Sequence, residues 1–309
     1  VSLFVNKVEI ENTFAEAFPM WGSRLIITAK NSKWANIAAL SMTGYATSVI
    51  MCDCEAGIER EVAESETLDG RPGVSIMMFG FSRKALEEPM LKRIGQCVLT
   101  CPSTSVYNGL SRDHADEMLD IGKGIRFFGD GFQVKMRLGD GVYERKRFWR
   151  IPVMEGEFLI EEKFGAKKAV AGGNFLIMGD SSQAVLEAGE KAIEAIHKVP
   201  GVITPFPGGL CRSGSKVGSK YAFLKASTNT SFCPSIKNIF QSSKVPRDVD
   251  SILEIVINGL DLESVKKAMA EGISTAVKVE GVTKITAVNF EGKLGKFQIW
   301  LKDCLGGLY

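Results

Sequence analysis

One carboxylate in this sequence is set apart by its surroundings. Glu254 lies inside LEIVI (Leu253–Ile257), an otherwise apolar run that reads as a strand. Alternation puts Ile252, Glu254, Val256 and Asn258 on one face of that strand. A carboxylate buried among apolar neighbours without a cation loses hydration, and its proton affinity rises. Neutral, it donates a hydrogen bond to a developing oxyanion; ionised, it accepts a proton. The bland alternative is a solvated glutamate at a sheet edge.

A second concentration of chemistry is PFPGGLCRSGSKVGSKY (Pro205–Tyr221). Gly208, Gly209, Gly214 and Gly218 allow close backbone approach to a ligand, and Ser213, Ser215 and Lys216 supply donors between them. The run follows the short apolar segment Gly201–Thr204, so it leaves the end of a strand, where α/β proteins place their sites. It is not a phosphate-binding loop, because GxxxxGK[ST] is absent. Further polar residues in glycine-rich or apolar settings are Glu55, Gln96, Asn174 and Asn229, each of which also suits a turn or a cap.

Other chemistries are poorly supplied. Only His114 and His197 are present, which disfavours histidine-based triads and metal sites. His197 ends a helical pattern, where a cation would favour the helix dipole. The seven cysteines are odd in number and read as free thiols in a reducing cytosol, so a cytoplasmic location is expected. Neither Cys52/Cys54 nor Cys97/Cys101 has good zinc spacing, and no metal is expected.

At 309 residues the chain has room for about two domains. With 45% hydrophobic and 24% charged residues it has an ordinary globular composition, and a net charge of +2 gives no strong field for polyanions. The cluster Arg145, Lys146, Arg147 and Arg150 is too small to argue for nucleic acid. No apolar run reaches the length of a membrane span, and VSLFVNKVEIE reads as an opening strand rather than a signal peptide.

The elements that must carry these residues occur twice. Arg24–Ala29 reads as a strand, and Ser32 as the cap of a helix with Trp34, Ile37 and Ala38 on one face. Thr47–Met51, Val74–Phe79 and Cys97–Thr100 read as further strands, with a helix over 83–95 that Pro89 should interrupt. The second half repeats the order. Asn174–Met178 is a strand, Ser181 caps a helix, and Val202–Thr204 is a short strand. Ile252–Asn258 is the next strand, Asp261 caps a helix, and Lys284–Asn289 and Phe297–Leu301 close the pattern. Between the halves, alternation in RFWRIPV predicts hairpins. The expected fold is α+β: two tandem ferredoxin-like, split β-α-β lobes with helices packed on antiparallel sheets. The expected division is 1–153, including the hairpin insertion, and 154–309, carrying the glycine-rich loop and Glu254.

A series of ordered segments resembles one family, formylmethanofuran–tetrahydromethanopterin formyltransferase. They are NTFAEAF (Asn12–Phe18), TSVIMCDCEAGIE (Thr47–Glu59), DGRPG (Asp69–Gly73) and RIGQCVLTCP (Arg93–Pro102). They continue with FFGDG (Phe127–Gly131), IPVMEGEF (Ile151–Phe158), AGGNF (Ala171–Phe175), PFPGGL with SGSKVGSK (Pro205–Lys220), EIVINGL (Glu254–Leu260) and GKLG (Gly292–Gly295). GKGIRFFGDG and RFWRIPVMEGEF are similar to the bacterial branch, where the protein is the formyltransferase subunit of a formyltransferase/hydrolase complex. The sequence departs from the family at Glu291, where glycine is usual, at Asp53 and Cys54, and at Pro89.

The resemblance implies reversible formyl transfer between N5 of tetrahydromethanopterin and the amine of methanofuran or a methylofuran-type analogue, both as co-substrates. It implies a homotetrameric core, hydrolase subunits as partners, no metal, no nucleic acid and no membrane. It makes Glu254 the key glutamate. Gly208, Gly209, Ser213, Ser215, Lys216, Asn229, Asn174, Glu55 and Gln96 are the expected substrate-binding residues. Cys211 and Ser213 are candidates for a covalent formyl-enzyme, a less favoured route. The competing readings are a non-catalytic scaffold subunit and an RNA-binding module. The latter lacks the aromatic RNA-binding signature.

Overall fold

The computed structural model describes residues 3–137 and 146–306. They form two compact units, one of residues 20–169 and one of residues 1–19 with 170–309.

In the unit of residues 20–169 the order is β1 (Phe14–Thr28), α1 (Ser32–Thr43), β2 (Glu55–Val62), β3 (Gly73–Gly80), α2 (Arg83–Arg93) and β4 (Ser105–Asn108). All neighbours are antiparallel and the strand order is β4-β1-β3-β2, with Ile26 opposite Ser75. The unit of residues 1–19 and 170–309 repeats this with β5 (Phe164–Gly179), α3 (Ser182–Ile196), β6 (Val202–Ile203) with β7 (Leu210–Cys211), β8 (Ser251–Gly259), α4 (Leu262–Ala276) and β9 (Val282–Thr286). Its order is β9-β5-β8, with β6 and β7 both on the free side of β8. Long strands β1 and β5 each contribute residues to both units.

The helices start where side chains cap them. The side chains of Ser181 and Asp261 accept from Ala184 N and Ser264 N, as their sequence positions predict. Asn31, not Ser32, caps α1, and the buried stripe is Ala35, Ala38, Ala39 and Met42, leaving Ile37 exposed. The longer Asn31 side chain reaches the N–H of Trp34 from an extended backbone, which sets the helix one residue earlier than expected.

Two expected strands are absent. Residues 47–51 form turns, because α1 runs on to Thr43 and Arg93 then collects the carbonyls of Met42 and Gly44. Cys97–Thr100 lies at the end of a helix: α2 passes through Pro89 unbroken and leads into a π-helical turn over Ile94–Val98. Burial of the Pro89 ring offsets its missing N–H. The hairpin predicted around RFWRIPV forms, pairing Arg147–Val153 with Gly156–Glu161. Of the basic cluster, Arg145 lies outside the described residues.

In the unit that holds Glu254, α3 and α4 lie on one face of the sheet. Val185, Ala188, Ala192, Ile196, Val265, Met269 and Ile273 meet Phe175, Ile177, Ile255 and Ile257 in one core. Each of the larger side chains contributes about 1.5–3 kcal/mol of burial. That fixes the register, since a one-residue slip would send Glu254 into the helices. His197 ends α3 with its ring nitrogen 3.2 Å from Thr204 Oγ1, and burial lowers its pKa. It is therefore a neutral cap residue, not the dipole-stabilising cation expected. No helix among the described residues is long and apolar enough to cross a membrane.

Candidate active site

Ile255 and Ile257 point into the helical core, so Glu254 faces the other side of the sheet. Leu176 on β5 and Cys211 on β7 stand directly opposite it in the ladder. The cover comes from loops. Arg212, Gly214, Thr228, Asn229, Phe232, Cys233 and Val288 join Leu176, Cys211 and Ile252 around a cavity of about 30 Å³ that Glu254 lines. That is room for one water or one formyl group, not a ring.

Among the described residues Glu254 has no hydrogen bond and no ion pair, although Arg212 lines the same cavity. Desolvation is the sole cause acting on it and pushes its pKa from the usual 4.5 up to about 7. Gly214 packs on the carboxylate so closely that a Cβ there would collide with Oε2. The Cys211 thiol is pushed up to about 11, first by burial and then by the charge of Glu254. A thiol held neutral in this way is a poor nucleophile, which argues against a formyl-thioester.

The glycine-rich run does two jobs. Gly208 and Gly209 have φ of +61° and +83°, and a Cβ on Gly209 would strike Ile193. They make the turn that delivers Cys211 to its place beside Glu254. Beyond them, Ser215–Val217 pairs with Ala226–Thr228 as a hairpin. Ser213 Oγ donates to Thr228 Oγ1 at 3.3 Å, and Lys216 Nζ to Thr230 Oγ1 at 2.9 Å. Asn229 donates its N–H to Gly214 O at 2.7 Å and reaches the cavity itself. Asn174 sits on the Glu254 face of β5 with its amide bonded to backbone. Glu55 and Gln96 belong to the other unit. Glu55 Oε1 accepts from Val49 N at 3.1 Å, and Gln96 stands exposed on the π-helical turn.

Sequence reasoning missed Leu176, Thr228, Phe232, Cys233 and Val288, which are ordinary residues made relevant by cover alone. It also passed over Glu16, a lone acid in FAEAF with the same signature as Glu254. Burial alone would push the Glu16 carboxyl up, but the N–H groups of Gly295, Phe290, Leu294 and Gly292 all donate to it and hold it below the usual range. Those bonds, 2.5–2.8 Å long, anchor the loop that contains GKLG. Glu291 in that loop has φ of +61°, a backbone conformation that favours glycine. No group of three or more potential metal ligands occurs among the described residues.

Comparison with known proteins covers both halves. Residues 3–153 match the family described as formylmethanofuran-tetrahydromethanopterin formyltransferase, and residues 156–304 match its proximal lobe. A relative with that name from Methanocaldococcus jannaschii is 53% identical over 302 residues, covering 97% of this chain and 98% of its own. The solved formyltransferase of Methanosarcina barkeri superposes with a TM-score of 0.91 at 50% identity, covering 98% of this chain and 100% of its own. A chain of the formyltransferase/hydrolase complex FhcABCD from Methylorubrum extorquens, solved with methylofuran, gives a TM-score of 0.94 at 44% identity over 99% of both chains.

Proposed function

This chain belongs to the formylmethanofuran–tetrahydromethanopterin formyltransferase family, and from that premise we propose that Glu254 is the proton-handling group of the transfer. The enzyme moves a formyl group between formylmethanofuran and tetrahydromethanopterin. In our reading the amines concerned are N5 of the pterin and the primary amine of the furan carrier. The attacking nitrogen adds its lone pair to the formyl carbon, and the carbonyl electrons move onto oxygen. The tetrahedral intermediate then expels the other nitrogen.

Glu254 supports both halves of this exchange. Protonated in the resting site, it donates to the oxygen on which charge develops. Having passed that proton to the oxygen, it takes the one shed by the attacking nitrogen and gives it to the leaving nitrogen, and it recovers its own from the hydroxyl as the carbonyl re-forms. A carboxyl with affinity near neutrality does this best, and the observation that carries the proposal is that Glu254 is desolvated without any partner among the described residues. The rings of both substrates lie outside the small cavity, and binding them together supplies the rest of the rate. Ser213, Ser215, Lys216 and Asn229 are the proposed substrate contacts beside it, with Gly208 and Gly209 shaping the turn. Glu55 and Gln96 are proposed substrate contacts within the unit of residues 20–169.

We further read both units as ferredoxin-like, which their β-α-β-β-α-β orders support. A homotetrameric core is our proposal too; exposed Tyr221, Phe223 and Ile239 are side chains of the kind an interface covers. Association with hydrolase subunits is proposed from the Methylorubrum extorquens relative.

The test is formyl transfer from formyl-tetrahydromethanopterin to a furfurylamine carrier by wild type and Glu254→Gln. Glutamine keeps the shape but cannot exchange the proton. A loss of ~100-fold or more is expected. Equal activity in both would remove Glu254 from the chemistry, and activity in neither folded protein, with partner subunits present, would favour the scaffold reading.

A further inference from the structure

Strand β9 stops pairing with β5 just short of the candidate site. The ladder runs Met178↔Lys284, Ile177↔Ile285 and Leu176↔Thr286 and then ends. Had it continued, Val288 would stand opposite Asn174. It does not, although β5 itself keeps a regular register with β8 from Gly173 through Gly179; the shift in that pairing lies just before, between Val170 and Gly173, where Gly172 has φ of +90°.

A side chain takes over from the backbone. Asn174 Oδ1 accepts from Val288 N at 2.7 Å, and Asn174 Nδ2 donates to Val288 O at 3.1 Å and to Gly172 O at 3.2 Å. Only a carboxamide offers a donor and an acceptor in this arrangement. Most of its hydrogen-bonding capacity is thus spent on backbone, and the side chain is buried. Val288, held this way, is part of the wall around Glu254.

We propose that Asn174 is a positioning residue for formyl transfer, clamping Val288 as a wall that limits how much water reaches Glu254, and not a substrate-binding residue. The inference rests on the reading of Glu254 given above. The charged or titratable groups on the other sides of Glu254 are few. β7 and the residue after it bring Cys211 and Arg212, and the loop beyond the hairpin brings Cys233. β5 brings Asn174 and Leu176, and β9 with the segment after it brings Lys284, Thr286 and Val288; the one charged group among these, Lys284, pairs with Glu9 and Glu11 at 3.5 and 3.1 Å. With Lys284 committed to those carboxylates, restricting water is the control that this side exerts.

Loosening the wall therefore lowers the proton affinity of Glu254 toward that of a hydrated carboxyl. The experiment is an infrared titration of the carboxyl in the intact protein, with the Glu254 band assigned by its loss in Glu254→Gln. The same proteins are assayed for kcat and KM. In Asn174→Ala the Glu254 midpoint is expected to fall by about one pH unit or more. kcat should fall about tenfold with KM within about twofold. Val288→Ala, a milder change that trims the wall itself, is expected to move the midpoint the same way by a smaller amount, and it carries the test if Asn174→Ala does not fold. An unmoved midpoint in the folded variants overturns the inference, as does a rise in KM at unchanged midpoint, which would return Asn174 to substrate binding. If Glu254→Gln removes no titrating band near neutrality, the Glu254 reading fails instead.

Discussion

β3 and β8 occupy the same place in their respective units, and they treat a polar position in opposite ways. Glu254 is opposite Leu176, which stands five residues before the helix cap Ser181. Ser75 is opposite Ile26, which stands five residues before the cap Asn31. Each lies seven residues before the cap of the following helix, Asp261 and Ser82. Ser75 is thus the counterpart of Glu254, and by the same count Arg24 is the counterpart of Asn174. The unit of residues 20–169 does keep an acid here, but on the edge strand. Glu59, at the irregularity in β2, accepts from Ser75 Oγ at 2.7 Å and pairs with Arg24 at 2.6 Å. One carboxylate is neutralised and stapled, while the other is half-buried, poorly hydrated and unpaired. The same backbone yields a structural joint in one unit and a reactive acid in the other. The difference lies in whether a cation is bonded to the carboxylate: Arg24 is, whereas Arg212 lines the cavity of Glu254 without pairing with it.

Breaking the neutralised side should cost stability and leave the chemistry alone. Arg24→Ala takes the guanidinium from a carboxylate that is 5% exposed, and the urea midpoint should fall by the equivalent of about 3 kcal/mol. A change near zero would mean that Glu59 needs no cation, and the contrast with Glu254 would lose its basis.

The unpaired side should reveal itself as a penalty that depends on pH. Because the folded-state affinity of Glu254 is raised above its unfolded value, the native state binds the extra proton between pH 4.5 and about 7. Its contribution is fully present below the lower value and is lost as pH rises through the upper one. Stability measured from pH 4.5 to 8 should show a fall of about 3 kcal/mol in wild type that Glu254→Gln abolishes. The inactive variant is then the more stable protein at pH 8. Identical slopes in the two proteins would place Glu254 in water.

The smallest effect is expected at Ser75 itself. Ser75→Ala removes one hydrogen bond and leaves the Arg24–Glu59 pair in place. It should cost about 1 kcal/mol in thermal or urea unfolding, with transfer rates within about twofold of wild type. A large loss of activity would make the joint part of the catalytic machinery and end the comparison.

How much of this is legible before folding depends on how local the cause is. Apolar alternation and two capping residues sufficed to locate β5, α3, β8 and α4, and these are the elements that fix Glu254. The same reasoning failed at Thr47–Met51 and Cys97–Thr100. There Arg93 and the continuation of α2 override short apolar runs that suit strands equally well.

The acids give the limit most clearly. Glu16 and Glu254 both interrupt apolar strands, and nothing in either neighbourhood tells them apart. The sequence by itself determined that each would lie in a sheet with one face in a core, since the period of two and the flanking apolar residues are local properties. Tertiary structure alone decided their charge. Glu16 meets N–H groups from residues 290–295, more than 270 positions away, whereas Glu254 meets a cover drawn from 211–233 and Val288 that offers it no hydrogen bond. Proton affinity is set by what surrounds a carboxyl in space, and for a strand those surroundings arrive from distant parts of the chain.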